Sequence, residues 1–177
     1  FYRLSDQQLE QQKLLATLTQ QIRSSLEIPT ILNTIVHELR QVLNCERVNI
    51  WQFSEDLNRI RVVAESTTST LSLLGIEVED PCFNNPQIET YQQGKVRVVP
   101  DIYRANLTPC HLEMLEELKT RSKILVPILL NNKLWGLLNV CESQYPRDWY
   151  PQEVELLELL SKQISIALQQ ARSEEHT

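Results

Sequence analysis

The chain has 177 residues, 42% of them hydrophobic and 23% charged, which is enough for one domain with a real core and too little for two comfortable ones. A formal net charge of −6 excludes bulk attraction to a phosphate backbone or an anionic membrane, so nucleic acid is not an expected partner. The longest apolar run, Ile124 to Leu130, is broken by Pro127 and is far shorter than the ~20 residues of a bilayer crossing. The amino-terminal FYRLSDQQLEQQ lacks a signal peptide's apolar segment, and a cytoplasmic location with no membrane contact by this domain is the expectation.

The first element is a helix from Leu4 to about Leu26, with Leu15, Leu18 and Ile22 at helical spacing. Pro29 and Thr30 open a second, in which Ile31, Ile35, Leu39 and Val42 return to one face until Asn44. The period then changes to two. RVNIWQFSED reads as a strand, a turn falls at Asp56 to Asn58, and RIRVVAES reads as its partner, with Ile60, Val62 and Ala64 on one face.

Residues 66 to 82 show little periodicity and read as irregular. Pro86 to Gln93 can form a short helix that stops at Gly94, and Val96 to Val99 a short strand before Pro100. After Pro109, Leu112, Leu115 and Leu118 share a helical face. SKILVPILL and KLWGLLNVCES follow as two strands joined by Asn131-Asn132, a turn pair that tolerates positive φ. Pro151 begins a long helix whose apolar stripe comprises Val154, Leu157, Leu160, Ile164, Ala167, Leu168 and Ala171.

This order predicts an α+β fold, an α/β sandwich in which a central antiparallel sheet carries its helices on one face, because antiparallel hairpins need only short turns. The terminal helices can either cover the sheet or pair two copies as a homodimer. We divide the chain into a linker helix over 1–27, the main domain over 28–172 and the end of a second linker helix over 173–177.

Turnover chemistry finds little support. With only three glycines, Gly75, Gly94 and Gly136, neither a phosphate loop nor a dinucleotide fingerprint can be built. The four cysteines, at 45, 82, 110 and 141, form no CxxC pair and have no His–Cys spacing that suits zinc, so no metal is expected. As residues of a reducing compartment they read first as small buried hydrophobes.

The stretch TPCHLEML places Cys110 beside His111 at a helix start, where the helix terminus favours the thiolate that adds to an electron-poor double bond. Adjacent helical positions diverge by about 100°, so the two could not easily form a nucleophile–base pair. They suit a thiol fixed to a ligand's edge with an imidazole against its face. Upstream, DPCF sets Asp80 two residues from Cys82, a carboxylate that could accept from the N–H groups of a cationic ligand. On chemistry alone, an exposed Asp and a buried Cys are the favoured account of the same residues.

Three segments carry a resemblance: ETYQQGKVRVVPDIYRANLTPCHLEML, ILVPILLNNKLWGLL and YPRDWYPQEVELLELLSKQISIALQQA. With these, the chain resembles the GAF domains of the cyanobacteriochrome family, photoreceptors of the phytochrome superfamily that carry a linear tetrapyrrole. DPCF is similar to the Asp-x-Cys-Phe signature of one lineage. The resemblance implies a GAF fold with the bilin pocket on the sheet face opposite the helices, and phycoviolobilin or phycocyanobilin as chromophore. It implies a permanent thioether from Cys110 to ring A, His111 packed by the inner pyrroles, Asp80 accepting from pyrrole nitrogens, and reversible addition of Cys82 to the central methine bridge.

Ring D isomerisation would then break the second thioether and exchange a blue-absorbing for a green- or teal-absorbing state. Lys95, Arg97 and Arg104 are the cations nearest for the two propionates, Phe83 is a pocket-wall candidate, and Tyr103 and Tyr91 could line the pocket or pack at its edge. Where many relatives read Leu-Leu-Ile-Ala-His, this chain has Leu137-Leu138-Asn139-Val140-Cys141, so a cysteine stands at the histidine expected near ring D. Cys141 and Cys45 are read as packing.

The implied function is a sensor, not an enzyme, beyond self-attachment and isomerisation of its bilin. Its output domain would be a histidine kinase, a phototaxis module or a cyclic-dinucleotide enzyme. A red/green bilin sensor without the second linkage, a GAF domain for a small molecule such as a cyclic nucleotide, and a ligand-free dimerisation module remain open at this point.

Overall fold

The computed structural model describes residues 6–24, 27–79 and 85–175. Asp80, Cys82 and Phe83 lie outside the described residues. In chain order the elements are helices α1 (Asp6–Ser24) and α2 (Ile28–Leu43), strands β1 (Arg47–Phe53), β2 (Arg59–Thr67) and β3 (Glu77–Glu79), helix α3 (Asn85–Gln92), strand β4 (Arg97–Val99), a 3-10 turn at Ile102–Arg104, helix α4 (Pro109–Glu117), strands β5 (Ser122–Leu130) and β6 (Lys133–Glu142), and helix α5 (Pro151–Glu175). The six strands form one sheet in the order β3-β2-β1-β6-β5-β4, and every pairing is antiparallel.

Helix ends follow the chemistry of their residues. Asn44 takes φ 49° after α2, and the amides of Asn44 and Cys45 return to the carbonyls of Gln41 and Arg40, a Schellman closure that asparagine tolerates. Thr108 caps α4 by accepting from the His111 amide at 3.3 Å, with Pro109 in the first turn. Asn131 and Asn132 both have positive φ, the geometry a two-residue hairpin requires.

The sheet separates two apolar layers. Ile50, Ala64, Ile124, Val126, Leu138 and Val140 meet α2 and α5 in the main core, and α1 packs over both helices with Leu14 and Leu18. On the opposite face Trp51, Phe53, Ile60, Val62, Leu125, Leu134 and Leu137 form a second cluster that includes Tyr91. Helices are therefore not confined to one face: α3 packs against β5 and β6, and α4 against the 3-10 turn.

Three expectations need correction. The stretch 66–82 contains strand β3, which extends the sheet at its edge by pairing Glu77–Glu79 with Arg59–Arg61. Its EVE sequence has no apolar pair on one face, so periodicity could not reveal it. Ile60, Val62 and Ala64 do not share a face, because the register passes from Ile50↔Ala64 to Trp51↔Val62 and leaves Val63 as an extra residue. In α1 the buried leucines are Leu14 and Leu18, four apart, while Leu15 is only half-buried.

Candidate functional site

The sheet face away from α2 and α5 carries polar residues as well as apolar ones. Strand alternation turns Arg47, Asn49 and Trp51 of β1 to this face together with Leu137, Asn139 and Cys141 of β6. Cross-strand register then sets Glu65, Asn49 and Asn139 in one row. Their side chains are bonded along it: Asn139 Nδ2 donates to Asn49 Oδ1 at 3.0 Å, and Asn49 Nδ2 donates to Glu65 Oε2 at 3.3 Å. Glu65 also accepts from the Leu73 amide at 2.9 Å and from the Ser72 hydroxyl at 3.2 Å. Arg47 Nε lies 3.4 Å from its carboxylate, with 2% and 3% of the two side chains exposed.

Beside this row is a cavity of about 40 Å³, bounded on the sheet side by Trp51, Lys123, Leu125, Leu137, Asn139 and Cys141. Met114, Leu115 and Leu118 close it from the α4 side, and Thr120 lies at its edge. Such a volume suits one water molecule and is far below the ~300 Å³ at which ligand pockets begin. A larger ligand here requires α4 to move away from the sheet.

Cys110 and His111 occupy the first turn of α4 and diverge as their adjacency demands. Cys110 is exposed, and its sulfur is disulfide-bonded, so addition to a ligand requires the thiol to be reduced first. His111 turns inward and is 2% exposed, with Nδ1 3.4 Å from the Gln87 amide nitrogen of α3. Burial, reinforced by the charges of Lys123 and Arg97, lowers its pKa from 6.5 to about 4, so the imidazole is neutral near pH 7.

The other expected site residues divide. Arg97 is half-buried on β4 and acts electrostatically on both His111 and the buried Tyr91, whose hydroxyl pKa burial raises. Tyr91 thus lies within the apolar cluster of this face, and Tyr103 does not. Asp101 accepts from the Tyr103 amide at 3.0 Å and pairs with Arg121 at 2.9 Å; the Arg121 guanidinium sits 5.0 Å from the Tyr103 ring, holding it outward and 54% exposed. Arg104 faces an outer cleft with Asp101 and Asp148, and Lys95 is exposed after Gly94.

Cys141 is buried on the cavity wall, where loss of water pushes its thiol up to about 12 and keeps it protonated. Cys45 is buried as well, and burial pushes its thiol up further. Sequence reasoning missed Lys123, Asn139 and the Arg47–Glu65 pair. Lys123 and Asn139 are polar residues at inward positions of otherwise apolar strands, a signal that was available in SKILV and LLNVC. Among the described residues no helix is long and apolar enough to cross a membrane.

Residues 27–168 match the GAF domain family. The blue-light absorbing form of the PixJ GAF domain from Thermosynechococcus elongatus is 33% identical in sequence and superposes with a TM-score of 0.78, covering 84% of this chain and 89% of that one. A phycocyanobilin-bound GAF domain from a cyanobacterial phytochrome is 27% identical with a TM-score of 0.86, covering 99% of this chain and all of that one. The circadian input-output histidine kinase CikA of Thermosynechococcus vestitus is 34% identical over 172 residues, which is 92% of this chain and 23% of the kinase. The chain therefore spans less than a quarter of that relative's length.

Proposed function

The chain belongs to the GAF domain family, and from that premise we propose that it is a light sensor that holds a linear tetrapyrrole between its sheet and the layer of α3 and α4. The observation that carries this reading is the start of α4: an exposed cysteine at Cys110 and, one residue on, a buried neutral imidazole at His111 facing Gln87. That division fits attachment at a ligand's edge and packing against its ring system. Similarity to a PixJ GAF domain and to a phycocyanobilin-bound phytochrome domain supports the ligand class.

A bilin supplies the absorbing π-system and a double bond that rotates on excitation. The protein supplies the rest. Once an external thiol has reduced its disulfide, Cys110 would hold the bilin at its ring A edge through a thioether. His111, kept neutral by burial, would offer the inner pyrroles a flat ring without added charge. Cys82 would supply a second thiol for reversible addition at the central bridge, which would shorten the conjugated path, with Asp80 as acceptor for pyrrole N–H groups and Phe83 as an apolar contact. Arg97, half-buried on β4 where Lys95 and Arg104 are exposed, would be the cation that meets a propionate.

The ligand would be phycocyanobilin or its isomer phycoviolobilin, with blue and green or teal states. Signal would leave through the terminal helices to an output domain such as a histidine kinase, a role consistent with the similarity to CikA. A homodimer through the same helices belongs to this proposal.

The deciding experiment is the absorption spectrum of the protein co-produced with phycocyanobilin under reducing conditions, before and after blue illumination. A blue band that is reversibly replaced by a green or teal one is the expected result. A loaded protein with only a red/green cycle would remove the second linkage, and a colourless protein would overturn the bilin reading.

A further inference from the structure

The row Glu65–Asn49–Asn139 ends in a polar atom that has no partner. Asn139 is 8% exposed, and its Oδ1 is fully buried without a hydrogen bond while its side chain borders the cavity. An orphaned acceptor of this kind is costly, and it persists in folded proteins chiefly where a water or ligand completes it.

Which end of the amide is left over is decided by chemistry two strands away. Glu65, paired with Arg47 and accepting from Ser72 and Leu73, can only accept. Asn49 must therefore turn its NH₂ toward Glu65, which leaves its oxygen for Asn139. Asn139 must in turn present its own NH₂ to Asn49, and the same nitrogen lies 4.0 Å from the Cys141 sulfur. Both amide hydrogens are thus directed within the protein, and only the carbonyl oxygen is left over. The relay leaves a strong acceptor of fixed orientation on a side chain that lines the cavity, where Cys141 offers only a weak one.

We infer that Asn139 Oδ1 receives a ring N–H of the bound tetrapyrrole, with Glu65 and Asn49 as the positioning residues that hold the oxygen toward it. This rests on the bilin reading above. A linear tetrapyrrole carries both N–H donors and C=O acceptors, and at this point of the wall the protein selects the donor edge.

Two measurements test it. In the chromophore-free protein, the Asn139 side-chain amide protons should exchange slowly with solvent, and removing their acceptor with Asn49→Leu should speed that exchange about tenfold. In protein loaded with nitrogen-15-labelled phycocyanobilin, Asn139→Leu should move one ring N–H proton resonance upfield and leave the others in place. Asn49→Leu should move the same resonance, although Asn49 borders no cavity atom. If Asn139→Leu does not fold, Asn139→Ser carries the same expectation.

Identical ring N–H resonances in loaded wild type and either Asn139 variant would mean that the oxygen meets only a cavity water, and the inference would fall while the bilin reading stood. Fast amide exchange in the wild type would overturn the relay. A wild type that takes up no bilin would overturn both.

Discussion

Arg147 and Glu153 meet at 3.0 Å, and Glu153 has no exposed side-chain surface. The contact joins two helix ends, because Arg147 also donates to the carbonyls of Leu43 and Asn44 at the close of α2, while Glu153 accepts from the Tyr150 amide at the opening of α5. Trp149 lies 4.3 Å beneath the guanidinium and Glu142 accepts from it at 3.0 Å. Arg147→Ala leaves a buried carboxylate without its cation and should cost about 3 kcal/mol. Urea unfolding measures it, and adding Glu153→Gln to the same protein should restore part of the loss. An Arg147→Ala protein as stable as wild type would show that the junction is idle.

Acid should weaken the fold through His111. Its pKa is about 4 when folded and near 6.5 when unfolded, so between these values the unfolded chain binds the extra proton. This contribution is fully present above pH 6.5, falls as pH drops, and is gone below about 4; the gap between the two values corresponds to roughly 3 kcal/mol. Comparing urea midpoints at pH 7 and pH 4.5 in wild type and His111→Gln isolates it. The variant should show the shallower decline.

Gly136 is confined by backbone. A Cβ there would stand 2.2 Å from the Trp51 carbonyl oxygen, in a strand pairing that cannot open without breaking register with β1. Gly136→Ala should destabilise by about 3 kcal/mol, at the upper end of overpacking effects. Gly75→Ala is the control for lost glycine without a clash, since no atom lies within 4 Å of a Cβ there and its positive φ alone disfavours the substitution.

The two candidate linkage residues should separate by variant. Cys110→Ala should release the bilin on denaturation, whereas Cys82→Ala should retain it covalently and lose the blue-absorbing state. Denaturing gels with zinc-enhanced bilin fluorescence read the first effect, and the dark absorption spectrum reads the second. An unchanged dark spectrum in Cys82→Ala would defeat the two-thioether mechanism.

Much of the fold was legible because it is carried by local rules. Proline at helix starts, Asn44 after α2, tandem asparagines between β5 and β6, and alternating apolar residues all act over a few positions. What escaped depends on distant partners. Strand β3 has no apolar pattern and exists by pairing with β2. Tyr103 reads as a pocket residue beside the Cys-His motif, yet Asp101 and Arg121 hold it outward through contacts 2 and 18 positions away in sequence (103 − 101; 121 − 103). Of the site, Cys110 and His111 were visible as a motif; the Arg47–Glu65–Asn49–Asn139 row was not, since its members come from three strands and no short segment contains them.

Val63 shows how one residue can act as a reading-frame correction. Strict alternation from Ile60 onward would send Ala64 to the cavity side and drive Glu65 beneath the helices, into an apolar core. The extra position shifts the frame by one, so Val63 and Ala64 both join the helix side and Glu65 comes back into line with Asn49. Read this way, β2 is two phrases of the same period, out of step by a single letter. Deleting Val63 preserves both phrases, because Ala64 then follows Val62 in strict alternation and Glu65 stays on the face of Asn49.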